Sequence, residues 1–280
     1  MSQMGNTLCI GLASGIGNAV FMLPAVKALR DQGHKISLYV QGDYPMGNLF
    51  RRCIYADDVL EPPQAVNGHR PMCGQWRPAA WQSIRDVVHC RLSYPYTISE
   101  WASNLRLART SIKPDVSDWC RGLDRTPRWD IGIAPGSKNG VWMRKRYPGM
   151  AAVAEHFRRA GKSVAVFGQA MDGTAEIPGI QIESALESLP DLLAGCRVVI
   201  GTDSGITHLA SSLGIPVVVI YTATSEIKGE PVGPHRKIVP DLKCHPCQTT
   251  PRWQQCHDWR CREINAADVF QSAQELLMVN

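Results

Sequence analysis

Three groups of residues in this 280-residue chain have types and spacings suited to chemistry. Asp203-Ser204-Gly205 follows the apolar run Val198-Val199-Ile200 and precedes a segment that carries Leu209, Ala210 and Leu213 on one helical face. Asp203 and Ser204 therefore fall where a helix begins, with Gly205 offering no side chain to keep a ligand from the unpaired, partly positive N–H groups. The result is an anion cradle. Taken alone, the turn reads equally as an N-cap by Asp203 or Ser204, worth about 1 kcal/mol. The second group is Cys244, Cys247, Cys256 and Cys261, spaced C-x2-C-x8-C-x4-C beside Trp253 and Trp259. Four thiolates that close together read as a tetrahedral site for zinc by default, with iron also suited. Two disulfides are the competing reading, disfavoured without a secretion signal. The third group is a basic turn, Lys138, Arg144, Lys145 and Arg146, which by itself reads as a solvated loop.

The elements that must position these groups alternate strand and helix. Thr7–Leu12 reads as a strand, Ala13-Ser14-Gly15-Ile16-Gly17-Asn18 as a glycine-rich turn, and the next segment as one amphipathic helix to about Asp31. Ile36–Val40 is the next strand, so the glycine turn lies at the carboxyl end of a parallel strand, where open α/β sheets bind ligands. The turn is neither a dinucleotide fingerprint nor a P-loop, because Val20 stands where the third glycine is needed. From Glu61 to Pro78 the chain is polar and rich in Pro and Gly, with Trp76 and Trp81 near its end. Ile84–Cys90 reads as a strand and Glu100–Arg109 as a helix, and apolar periodicity fades between Lys113 and Arg128. A domain boundary belongs there, dividing the chain into 1–125 and 126–280. The second half reads as strand Trp129–Ala134, polar turn Pro135-Gly136-Ser137, helix 149–160, strand Ser163–Phe167 ending at Gly168, helix 189–194, and then the Asp203 unit with strand Val217–Ile220. Asn265–Met278 is a closing amphipathic helix placed to fold back across the molecule.

Composition narrows the classes. A hydrophobic content of 44% over this length suits two cores of ordinary size. The net charge of +5 is mild and its Lys and Arg are scattered, which argues against nucleic acid as partner and suits a phosphorylated or nucleotide-bearing one. No stretch approaches the roughly 20 apolar residues of a membrane span, and no leader is apparent, so a cytoplasmic location is the expectation. Of the ten cysteines, Cys9, Cys53, Cys73, Cys90, Cys120 and Cys196 are dispersed and read as small buried hydrophobes.

Asp203, Ser204, Gly205, His208, Leu209 and Ala210 match in order the D-[ST]-G-x-x-H-L-A stretch of glycosyltransferase family 9, the heptosyltransferase family, which the chain resembles. Gly15-Ile16-Gly17-Asn18-Ala19-Val20, Leu23-Pro24-Ala25, Ala28-Leu29-Arg30, Ala134-Pro135-Gly136-Ser137 and Lys145-Arg146-Tyr147-Pro148 also match, while positions 44 to 125 match poorly. The resemblance implies a GT-B architecture, two Rossmann-like doubly wound domains facing a cleft. It implies an inverting transfer of heptose or a similar sugar from a nucleotide-diphosphate donor to a glycan or other hydroxyl acceptor, in lipopolysaccharide biosynthesis, with peripheral contact at the inner membrane face. The donor would meet Ser137, Lys145, Gly168, Asp203, Ser204, Gly205 and His208, with Lys145 neutralising the diphosphate. The acceptor would meet Gly15, Gly17 and Asn18. No D-x-D pair is present, so no divalent ion is expected at the diphosphate. A similar cysteine set in some members implies a structural metal. Asn18 departs from the family, which carries an aspartate there as general base, and an amide cannot take up that proton. Either Asn18 positions the acceptor while Asp43 or His208 acts as base, or the chain is a degenerate GT-B shell that binds or regulates.

Overall fold

The computed structural model describes residues 7–12, 15–40, 46–61, 86–89, 97–248 and 250–279. Asp43, Cys73, Trp76, Trp81, Cys90 and residues 13 and 14 of the glycine turn lie outside them. Apolar runs without alternation suit strands covered on both faces, and the strands form two such sheets. In the first half the order is β1 (Thr7–Leu12), α1 (Ile16–Val20), α2 (Leu23–Asp31), β2 (Lys35–Val40), α3 (Gly47–Phe50), β3 (Asp58–Leu60), β4 (Asp86–His89) and α4 (Glu100–Leu105). The strands pair in parallel in the order β3-β2-β1-β4. The single helix expected up to Asp31 is two, because Pro24 sits in the first turn of α2, where its missing N–H costs nothing; the chain turns at Phe21 and Met22.

The second half runs β5 (Trp129–Ala134), α5 (Met150–Arg159), β6 (Val164–Phe167), β7 (Ile180–Ile182), α6 (Leu189–Ala194), β8 (Cys196–Thr202), α7 (Gly205–Ser212), β9 (Val217–Ile220), β10 (His235–Ile238), α8 (Pro251–Gln255) and α9 (Ala266–Val279). Its parallel order is β10-β9-β8-β5-β6-β7. Strand order reverses between β5 and β8, so the loops leaving these two strands diverge and open a crevice at their carboxyl ends. The same reversal lies between β1 and β4 in the first sheet.

One face of the second sheet is covered by α5 and α9, with Phe157 and Phe270 ring centroids 4.6 Å apart and Val269, Ala273, Leu276 and Leu277 buried. α9 thus folds back onto the second sheet rather than across the molecule. Burying a side chain of this size contributes about 1.5–3 kcal/mol. The other apolar cluster is shared: Val20, Phe21 and Leu23 belong to the same core as Leu209, Ala210 and Leu213 of α7. Polar ties reinforce this junction. Trp119 Nε1 donates to Ser212 Oγ at 3.1 Å, and Arg52 forms a fork with the Asp191 carboxylate at 2.7 and 2.9 Å. Glu100 and Lys228 pair at 3.3 Å, both buried. The expected boundary near residue 125 falls in the connection between α4 and β5.

Candidate active site

Lys145 ends a 3₁₀ turn, Gly140–Lys145, in the loop after β5, and Asp203 follows β8 directly. Their loops are stitched together. Thr202 Oγ1 donates to the Gly136 carbonyl at 2.8 Å and Thr222 Oγ1 to that of Arg144 at 2.6 Å; the Ser137 hydroxyl donates to the Trp142 carbonyl at 2.9 Å. Tyr147 OH fixes the far end of the loop on the Ile264 carbonyl at 2.7 Å. Lys145 Nζ is thereby held 2.9 Å from both the Asp203 carbonyl and Asp203 Oδ2. Asp203 Oδ1 lies 2.7 Å from His208 Nε2, one turn into α7. Burial alone would raise the Asp203 carboxyl, but the Lys145 ammonium and the His208 contact outweigh it and hold it well below the usual carboxylate range. His208 Nδ1 is buried without a hydrogen-bond partner.

Asp203 is therefore not a helix cap. Ser204 occupies the N-cap position in extended conformation, and its hydroxyl lies 3.3 Å from Thr207 Oγ1 rather than on a backbone N–H. The first N–H groups of α7 receive no side-chain cap, as an anion site requires. The space over Gly205 is taken by the other half of the molecule: a Cβ there would stand 3.0 Å from Ile16 Cβ and 3.5 Å from the Gly17 nitrogen. A methyl group on Gly17 would in turn stand 3.4 Å from His208 Cδ2. Gly17, with Asn18 beside it in the chain, is thus carried onto α7 by α1, while Gly15 at the start of α1 faces Lys138.

Ser137 and Gly168 form a neighbouring cluster at the ends of β5 and β6. Arg146 donates to the Ser137 carbonyl at 3.0 Å, to the Met171 carbonyl at 2.7 Å and to Asp172 Oδ1 at 3.0 Å. Asp172, which no sequence motif marks, fills the space left by two glycines that follow the strands. A Cβ on Gly136 would lie 2.6 Å from Asp172 Cγ, and one on Gly168 3.1 Å from Oδ2. Of the three other basic residues of this loop, Arg146 is locked to Asp172, Arg144 points toward Trp259, and Lys138 Nζ comes 3.5 Å from a Cβ position on Gly15.

Cys244, Cys247, Cys256 and Cys261 line one cavity of about 20 Å³ with His245 and Asp258. Burial and then the neighbouring cysteines push the Cys261 thiol up to about 11, and Cys247 is raised in the same way. All eight described cysteines are free, and no disulfide joins the quartet in this structure. Among the described residues, however, no group of three or more His, Cys, Asp or Glu side chains is drawn together as a formed metal site. Cys9, Cys53, Cys120 and Cys196 are buried, as small hydrophobes should be. Nor is any described helix long and apolar enough to cross a membrane.

The family model described as glycosyltransferase family 9 (heptosyltransferase) matches residues 61–257. That stretch begins inside the region of poorest motif agreement and leaves out the glycine turn and α9. Lipooligosaccharide heptosyltransferase 2 of Haemophilus influenzae is 31% identical over 112 residues, 34% of this chain and 32% of its own length. The alignment thus spans about a third of that relative. The solved structure of E. coli ADP-heptose LPS heptosyltransferase II is similar with a TM-score of 0.68 at 17% identity, over 98% of this chain and 99% of that one. The iron-containing dodecameric glycosyltransferase TibC of enterotoxigenic E. coli has a TM-score of 0.65 at 12% identity, covering 100% of this chain and 78% of that one. At these identities the likeness is one of fold, the GT-B arrangement of two parallel sheets.

Proposed function

Because this chain belongs to glycosyltransferase family 9, the heptosyltransferases, we propose that it moves heptose or a similar sugar from a nucleotide-diphosphate donor to a hydroxyl acceptor with inversion. The observation that carries the reading is the Lys145–Asp203–His208 group beside the uncapped start of α7 and beneath Gly17. In the reaction, the acceptor oxygen bonds to the anomeric carbon as the bond from that carbon to the diphosphate breaks. Negative charge passes to the nucleoside diphosphate, where the Lys145 ammonium and the α7 N–H groups stabilise it. Ser137, Gly168, Ser204 and Gly205 border the donor, and Gly15, Gly17 and Asn18 the acceptor.

Support for His208 as the group receiving the acceptor's proton is twofold. Asn18 is an amide and has no basic lone pair at neutral pH, whereas His208 Nε2 is committed to Asp203 and leaves Nδ1 with its lone pair. The degenerate-shell alternative is not favoured by the family membership. The cysteine quartet is read as a structural zinc or iron site, supported by four thiols around one small cavity and by the iron in the structural neighbour TibC. With four protein ligands such an ion stabilises the loop and takes no part in transfer. The boundary near residue 125, a glycan acceptor of lipopolysaccharide type, and a cytoplasmic setting with contact at the inner membrane face complete the reading.

The test is release of nucleoside diphosphate from a panel of nucleotide sugars, ADP-heptose included, by the purified chain with and without saccharide acceptors. Acceptor-dependent release that Lys145→Ala abolishes supports the proposal. Binding of donors with no release under any acceptor would return the degenerate shell.

A further inference from the structure

A second cavity, about 420 Å³, opens beside the Gly140–Lys145 turn and is lined by Val141, Met143, Arg144, Arg146, Trp259 and Arg262 among others. Lys145, Asp203, Gly205 and His208 do not line it. One of its walls is Trp259, 43% exposed, whose ring carries the Arg144 guanidinium at 4.7 Å and that of Arg262 at 5.0 Å. Guanidinium groups held against an aromatic ring keep their in-plane N–H donors for an oxyanion.

Arg146 is neutralised by Asp172, and Arg260 grips Asp258 with both forks of its guanidinium. Arg144 and Arg262, by contrast, have no carboxylate partner among the described residues. Arg144 Nη2 reaches only the Gln254 carbonyl, at 3.5 Å, and Arg262 Nε is buried with no hydrogen-bond partner. Two cations on one ring, without a carboxylate partner among the described residues and opening on a cavity with no acidic lining residue, suit a dianion. The exposed Val141 and Met143 give it apolar walls suited to a carbon skeleton.

We propose that Arg144 and Arg262, set by Trp259, bind the phosphate of a phosphate monoester in this cavity. A monoester carries about −1.5 to −2 charge at neutral pH and offers three acceptor oxygens, matching two guanidinium forks. The site is separate from the transfer chemistry and does not depend on it. It also gives the cysteine segment a second task, since Trp259 and Arg262 flank Cys261 and are placed by that segment.

Calorimetric titration of the full chain with glucose 6-phosphate, inorganic phosphate and glucose tests the site, alongside co-sedimentation with phosphatidic acid and phosphatidylcholine vesicles. The expected result is saturable binding of glucose 6-phosphate, weakened by about tenfold or more in Arg144→Gln/Arg262→Gln. Arg158→Gln/Arg159→Gln, on the exposed face of α5, should bind like the parent. Trp259→Leu, which keeps both cations but removes their platform, should show an intermediate loss. Vesicle binding confined to phosphatidic acid and lost in the Arg144/Arg262 variant would identify the phosphate as a lipid headgroup. Absence of binding by every phosphate-bearing probe, or parent-like binding by the double variant, overturns the proposal. Loss of bound metal from that variant without any phosphate binding would also overturn it, assigning both guanidiniums to the thiolates as counter-charge.

Discussion

Phe21 and His208 face each other across the junction of the two halves, with ring centroids 4.6 Å apart and planes tilted by 57°. Phe21 closes the turn between α1 and α2, and its carbonyl accepts from Asn104 Nδ2 at 3.2 Å. The imidazole that braces Asp203 is thus held from the first half of the chain. Movement of α1 against α7 therefore alters the surroundings of the Lys145–Asp203–His208 group directly.

Lys145→Ala is expected to weaken folding as well as nucleoside diphosphate binding, because the Lys145 ammonium already compensates Asp203. Breaking a buried pair costs about 3–5 kcal/mol, here toward the lower end since His208 remains, and a lost phosphate contact costs about 1.5–3 kcal/mol. Urea unfolding and calorimetric titration measure the two separately. Unchanged stability would mean that Lys145 is not the partner Asp203 relies on.

Asp203→Asn should show a pH-dependent deficit. The folded carboxyl lies below its unfolded value of about 3.9, so its contribution is complete above that pH and declines as pH falls through the folded value. Parent and variant stability curves should be well separated at neutral pH and draw together below about pH 4. Parallel curves across the acid range would count against a charged Asp203.

Asn18→Asp should preserve donor binding and raise, or at least maintain, transfer. His208→Gln should lower turnover by about 10²–10⁴ while donor affinity stays near that of the parent. Rapid turnover in His208→Gln would hand the proton to another group, and unaltered turnover in Asn18→Ala would remove Asn18 from the acceptor side.

Gly205→Ala places a methyl group 3.0 Å from Ile16 Cβ, on an element that cannot retreat without moving α1. Overpacking of this kind costs about 1–3 kcal/mol, and Ile16→Gly, which removes that Cβ, should restore much of it. A double-mutant cycle from unfolding curves reads the coupling; strict additivity would show that the junction opens freely in solution.

For Cys244, Cys247, Cys256 and Cys261, metal analysis of protein purified without added metal should find close to one zinc or iron per chain. Chelation should raise hydrogen exchange over residues 242–262 and leave both sheets protected. Metal-free protein with these thiols oxidised in pairs would replace the ion with disulfides.

The β8–α7–β9 unit was legible because its apolar runs and Gly205 and Gly214 punctuate a local pattern, α5 and α6 from the alternation of helix with strand, and α9 from amphipathic spacing behind an Asn cap. The pairing of Lys145 with Asp203 spans 58 positions and Arg52 with Asp191 spans 139, and no local period encodes either. Sequence motifs marked Lys145 and Asp203 one at a time and gave no sign that the two form an ion pair. The role of Asp172 was hidden for the same reason: the space that Gly136 and Gly168 leave for it exists only once β5 and β6 lie side by side. The break before α2 was written in Pro24, but the amphipathic stripe that continues past it masked the interruption.

Val20 and Leu23 share one apolar cluster with Leu209 and Leu213. Severing the chain near residue 125 would therefore not yield two self-sufficient modules. Each fragment would present an oily surface shaped for its counterpart and prone to aggregate alone. Mixed together, the two would reassemble by complementation, and a split form of this protein would survive only where both pieces are made in the same compartment and in matched amounts.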